Sequence, residues 1–144
     1  MSEDEKARGK AKKPVKSFRE LEVYKLAYEA ALEVFNLSKK FPKEEMFSLT
    51  SQIRGCSRSV CANIGEGWGK RRYPKSFANK LTDSAGEANE TSVWLDFSRD
   101  HGYITPDTHD DLESRYNHIR AQLYKMVEHS ESWCSSVSAL SVDG

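Results

Sequence analysis

Apolar residues recur along most of this chain at steps of three and four, the spacing that keeps one face of an α-helix out of water. Leu21, Tyr24, Tyr28, Leu32 and Phe35 form the first such stripe and predict a helix over residues 17–40. Ser17 followed by Glu20 reads as a capping box at its start. Pro42 ends it, because proline pushes the residue before it out of the α region. A second stripe runs Met46, Leu49, Ile53, Cys56, Val60, Ile64, and the helix that carries it is expected to stop or bend at Gly65, Gly67 and Gly69. In the third, Phe77, Leu81, Ser84, Ala88, Thr91 and Leu95 average a step of about 3.5, the seam period of packed bundle helices. Its small residues imply close helix approach. His101-Gly102 breaks that helix, and Thr105-Pro106 opens a fourth through Leu112, Tyr116, Ile119, Leu123 and Met126 to about Ser132. No alternating run reads as a strand.

These stripes predict an all-α chain: an up-down antiparallel four-helix bundle over residues 17–132, with loops near 41–45, 69–74 and 101–106. Residues 1–16 hold only Met1, Ala7, Ala11 and Val15 as apolar positions, too few to offset the entropy of ordering, and read as a disordered basic tail. Residues 133–144 read as a flexible C-terminal tail. The length of 144 residues suits one domain. The chain has no apolar run near the ~20 residues that span a bilayer and no signal peptide, which points to the cytoplasm. Three cysteines, an odd number without metal-ligand spacing, argue against a secreted disulfide scaffold.

Charge adds an asymmetry. The formal net charge is zero, yet residues 1–16 carry +3, residues 17–76 carry +4 and residues 77–144 carry −7. Such a split points to a basic partner surface or to complementary self-association, against the plainer alternative of solvated helix faces that happen to segregate.

The candidate chemistry lies in residues 52–75, where Arg54, Arg58, Lys70, Arg71, Arg72 and Lys75 stand against the single acid Glu66. Arg54 and Arg58, four apart, share a helix face. The functional reading is a phosphate-contacting patch with Trp68 and Tyr73 available for stacking; the plainer one is that cations are favoured at any helix C-terminus. Asn63 and Glu66 stand at a spacing that can form one hydrogen-bonded structural cluster, which Gln52 and Glu90 can join; a catalytic carboxylate pair is the sharper alternative. No nucleophile, phosphate loop or ligand set accompanies them, so no catalytic residue, cofactor or metal is expected. His101, His109, His118 and His129 lack ligand spacing, and Cys56 and Cys61 read as small core residues. Trp94 lies off the third seam beside Val93 and Phe97, which predicts a second buried face, a subunit interface.

Gln52-Ile53-Arg54, Ser59-Val60 and Ala62-Asn63-Ile64-Gly65-Glu66-Gly67 resemble the signature of the bacterial four-helix-bundle proteins first noticed as open reading frames inside intervening sequences of large-subunit ribosomal RNA genes. Phe18 and Leu21, Phe41-Pro42, Phe77 and Leu81, Gly86 and Glu90, and Gly102-Tyr103-Ile104 extend the likeness over about residues 17–130. The chain departs from that pattern at Asp83, Glu87 and Thr91. The resemblance implies a ring-forming homo-oligomer, typically a pentamer, without enzymatic activity. It also implies kinship with the accessory variability proteins of diversity-generating retroelements, which bind a reverse transcriptase and nucleic acid. The expected function is therefore a non-enzymatic oligomeric adaptor for RNA or DNA, or for a nucleic-acid enzyme such as a reverse transcriptase. The alternative is a structural protein whose partners are its own subunits or another protein.

Overall fold

The computed structural model describes residues 14–141, with side chains through residue 135. Among these residues it is all helical, without strands. After a 3₁₀ turn at Phe18–Glu20 come α1 (Glu22–Ser38), a second 3₁₀ turn at Lys43–Glu45, α2 (Leu49–Gly69), α3 (Pro74–Asp100), α4 (Pro106–Glu128) and α5 (Ser130–Ser141). The four long helices close a circuit of packing: α1 on α2, α2 on α3, α3 on α4, and α4 back on α1. The core lies inside that circuit, centred on Phe77, Ile53, Ile64, Leu81, Leu112 and Tyr116, each at most 1% exposed.

Every position of the third and fourth stripes is buried; α4 begins as expected on Pro106, and α3 begins on Pro74, the last residue of the loop expected over 69–74. Thr105 caps α4 by accepting from the Thr108 N–H at 3.1 Å. Gly102, at φ 78°, takes the left-handed conformation that ends α3. The α2 stripe is buried from Leu49 onward, whereas Met46 precedes the helix and is 45% exposed. Gly65 and Gly67 do not stop α2, which runs on to Gly69. A Cβ on Gly67 would stand 3.1 Å from the Lys80 Cβ, so this glycine admits α3 rather than ending α2.

The first helix differs most from expectation. The chain places Val23, Ala27, Ala30 and Val34 inside; of the expected stripe Leu21 is buried, Tyr24 and Phe35 are half-buried, and Tyr28 and Leu32 are about half exposed. Both stripes share a helical period. The small one wins because Ala27 and Ala30 let α1 lie close against α2 and α4, and tight packing fills space that bulky side chains would prop open. The capping box also serves a different element. Ser17 Oγ accepts from the Arg19 N–H at 3.2 Å and Glu20 from the Lys16 N–H at 2.9 Å, which closes the 3₁₀ turn. Extended Leu21 then intervenes, and α1 starts at Glu22 without a side-chain cap.

At the other end, where the sequence reading begins a tail at 133, the chain continues as α5, with Cys134 buried and the Trp133 ring edge-on to Trp68, 6.3 Å between centroids. Most of the expected N-terminal tail, residues 1–13, lies outside the described residues. No helix among the described residues is long and apolar enough to cross a membrane.

Candidate nucleic-acid interface

The six cations singled out from the sequence fall into two groups. Arg54 and Arg58 sit mid-α2 and lean across onto α1, their guanidinium carbons 4.6 and 5.5 Å from the Phe35 ring centroid. Arg54 Nε also donates to Ser38 Oγ at 2.7 Å. Lys39 Nζ, 5.0 Å from the same ring, makes a third cation there. Spacing along the chain could not reveal this trio, because Phe35 and Lys39 belong to a different helix.

The second group, at the α2–α3 corner, is ~18 Å farther along the axis, twelve residues at 1.5 Å each. Arg71 is fastened down: its guanidinium covers Trp68 at 3.3 Å and its Nε donates to the Trp68 carbonyl at 3.1 Å. Burial against the indole lowers its pKa, although it stays charged. Lys70, Arg72 and Lys75 are exposed and, among the described residues, form no ion pair; Tyr73 between them is 62% exposed. Three unpaired cations and one free ring on a short turn can hold phosphate oxygens and stack a base.

The expected polar cluster does not assemble. Asn63 Nδ2 donates to the Ser59 carbonyl of its own helix at 2.9 Å. Glu66 instead reaches Lys80 of α3 at 2.9 Å, and the ammonium holds its carboxyl below the usual range. Glu90 accepts from Trp94 Nε1 at 3.3 Å, and Gln52 faces solvent. Asn63, Glu66 and Glu90 each find another partner and Gln52 is left to solvent, so the four never meet.

Cys56 and Cys61 are buried, and burial pushes both thiols up to about 11, leaving them protonated and inert. Among the described residues no three His, Cys, Asp or Glu side chains converge as metal ligands. His109, 5% exposed, is held instead between carboxylates, its Nε2 2.7 Å from Asp96 and its Nδ1 3.0 Å from Asp110. Only the imidazolium donates to both. Burial opposes that charge, but the two hydrogen bonds outweigh it and raise the pKa.

Around the expected interface residues, Val93 and Phe97 are about half exposed and Trp94 is half-buried. Sequence reasoning missed Phe47, which follows the second 3₁₀ turn and is 95% exposed. With Trp94 and Phe97 it lines a hollow of about 540 Å³. The available signal was an aromatic adjoining the stripe position Met46 in the turn after Pro42.

The family model for the 23S rRNA-intervening sequence protein matches residues 19–125. No curated protein matches the chain. A solved protein of unknown function from the S23 ribosomal protein family of Bacteroides thetaiotaomicron is 28% identical over 74% of this chain and 95% of that one, with a TM-score of 0.66. A match spanning the four long helices, from Arg19 to Lys125, assigns the chain: it belongs to the 23S rRNA-intervening sequence protein family.

Proposed function

We propose that this protein is a non-enzymatic, self-associating adaptor of the cytoplasm, an up-down antiparallel four-helix bundle that binds nucleic acid through the α2–α3 corner. The observation that carries this reading is the run Lys70, Arg72 and Lys75, exposed and without carboxylate partners among the described residues, around the exposed ring of Tyr73. In a cytoplasmic ring, a pentamer by the resemblance, the corner repeats in every subunit and multivalency strengthens a weak individual contact. A nucleic-acid enzyme such as a reverse transcriptase, bound to the same RNA or DNA, is the adaptor's second partner. Arg54, Arg58 and Arg71 contribute less on this reading, because each is already engaged with an aromatic ring.

The test is fluorescence anisotropy with a single-stranded RNA between about 50 and 200 mM salt, across which phosphate-dominated affinity falls steeply. Lys70→Glu/Arg72→Glu/Lys75→Glu is expected to abolish binding, while Arg54→Gln leaves most of it. Binding by the triple variant equal to wild type, or none by wild type at low salt, removes the nucleic-acid role. The self-assembling structural reading then stands in front, favoured by the exposure of Phe47.

A further inference from the structure

Among the described residues two apolar surfaces that lie open are unlike in shape and charge. One is a groove of about 760 Å³ between the first 3₁₀ turn, α1 and α2. Tyr28, Leu32 and Phe35 form its α1 wall and Ala62 and Gly65 its floor on α2; Glu66 also lines it, its charge already met by Lys80 of α3 at 2.9 Å. Lys39, Arg54 and Arg58 gather about Phe35 at one end, and none of them forms an ion pair among the described residues. The other surface projects. Phe47 stands out at 95% exposure on a turn that is firmly held: Ser48 Oγ donates to Glu45 Oε1 at 2.7 Å and the Tyr103 hydroxyl to Glu45 Oε2 at 2.9 Å. Trp94 and Phe97 line the hollow beside it, with Glu45 on its wall and Glu90 held on Trp94 Nε1 at 3.3 Å, while Asp100 is paired with Arg99 at 2.9 Å.

We propose that the Phe47 patch of one copy seats in the α1–α2 groove of a second copy. This rests on the self-association proposed above and names the surfaces that perform it. Charge selects the pairing: groove on groove would crowd cations together and patch on patch would crowd carboxylates, whereas groove on patch joins opposite signs around an apolar centre. Shape selects it too, since a protruding ring on a braced turn fits a concave wall and leaves water on entering it. Phe47 does not fill the groove of its own chain, as its exposure shows. The contact therefore joins two different surfaces, and each copy offers one of each.

Unlike surfaces can be separated by mutation. Leu32→Glu spoils the groove and leaves the patch; Phe47→Glu spoils the patch and leaves the groove. Both sites are exposed, so helicity should be unchanged by circular dichroism; Ala62→Glu, exposed on the groove floor, is the second groove variant. In sedimentation velocity at micromolar concentration, wild type is expected to run as an assembly. Each variant alone is expected at the single-chain mass of 16.4 kDa. The equimolar mixture is expected to form a species of two chains and nothing larger, because one intact patch then meets one intact groove. Wild type at the single-chain mass overturns self-association and this pairing together. Wild-type assembly by either variant, or a mixture that stays single-chain, overturns the pairing alone.

Discussion

On α1 the largest hydrophobic side chains are not the ones that hold the fold, and a small set of substitutions measures the difference. Val34 is 1% exposed in the core, while Leu32, two residues away, is 50% exposed. Val34→Ala removes two buried methyl groups at ~0.8 kcal/mol each and adds a cavity term, for a loss of about 2–3 kcal/mol. Leu32→Ala removes more carbon, but half of it is already in water and the groove opens to solvent, so no cavity forms. Its loss is held to about 1 kcal/mol or less, with a small offset from the better helix propensity of alanine. Ala30, at 0% exposure, has no room to grow, and Ala30→Leu is expected to cost about 1–3 kcal/mol through overpacking. Urea unfolding followed by circular dichroism at 222 nm gives all three numbers. The Phe47→Glu background and one low protein concentration keep association out of the comparison. The expected order of loss is Val34→Ala above Leu32→Ala, with Ala30→Leu destabilising although it adds apolar surface. Leu32→Ala costing more than Val34→Ala would refute the packing argument.

Three further outcomes are expected. His109 has a folded pKa above its ordinary value, so its contribution is fully present below about pH 6.5 and is lost as pH rises through the folded pKa; the urea midpoint should fall as pH is raised above about 6.5, and His109→Gln should flatten that slope. Arg120 Nη1 donates to the Ala88 carbonyl at 3.2 Å and Ser92 Oγ at 2.8 Å while Nη2 reaches Glu113 at 3.0 Å; Arg120→Met should cost about 2–4 kcal/mol in thermal or urea unfolding, and adding Glu113→Gln should recover part of it by removing the stranded carboxylate. The Tyr116 hydroxyl is buried with no hydrogen-bond partner among the described residues, so Tyr116→Phe should be neutral or stabilising by up to about 1 kcal/mol, and a loss above that would show a partner.

The sequence by itself determined the four long helices, though not α5, and, for α3 and α4, which face is buried. Phe77 through Leu95 and Leu112 through Met126 form the buried stripes, and the turn chemistry of Gly102 and Pro106 marks the break between them. Local preferences suffice on α4 because one face holds most of its apolar residues, and on α3 because the seam is regular although Val93, Trp94 and Phe97 lie off it. Gly67 shows where they cease to suffice: the residue type that ends a helix in isolation here lets α3 approach, and only the neighbouring Lys80 reveals which. On α1 two stripes of equal period compete, and the choice depended on how closely α2 and α4 approach, a quantity no spacing encodes. The candidate site divided along the same line. The corner cations Lys70, Arg72 and Lys75 were legible because they are contiguous, whereas the gathering of Lys39, Arg54 and Arg58 around Phe35 required two helices side by side. Phe47 was hidden for a related reason. Exposure belongs to what surrounds a residue, and only the tertiary structure decided that nothing among the described residues covers it.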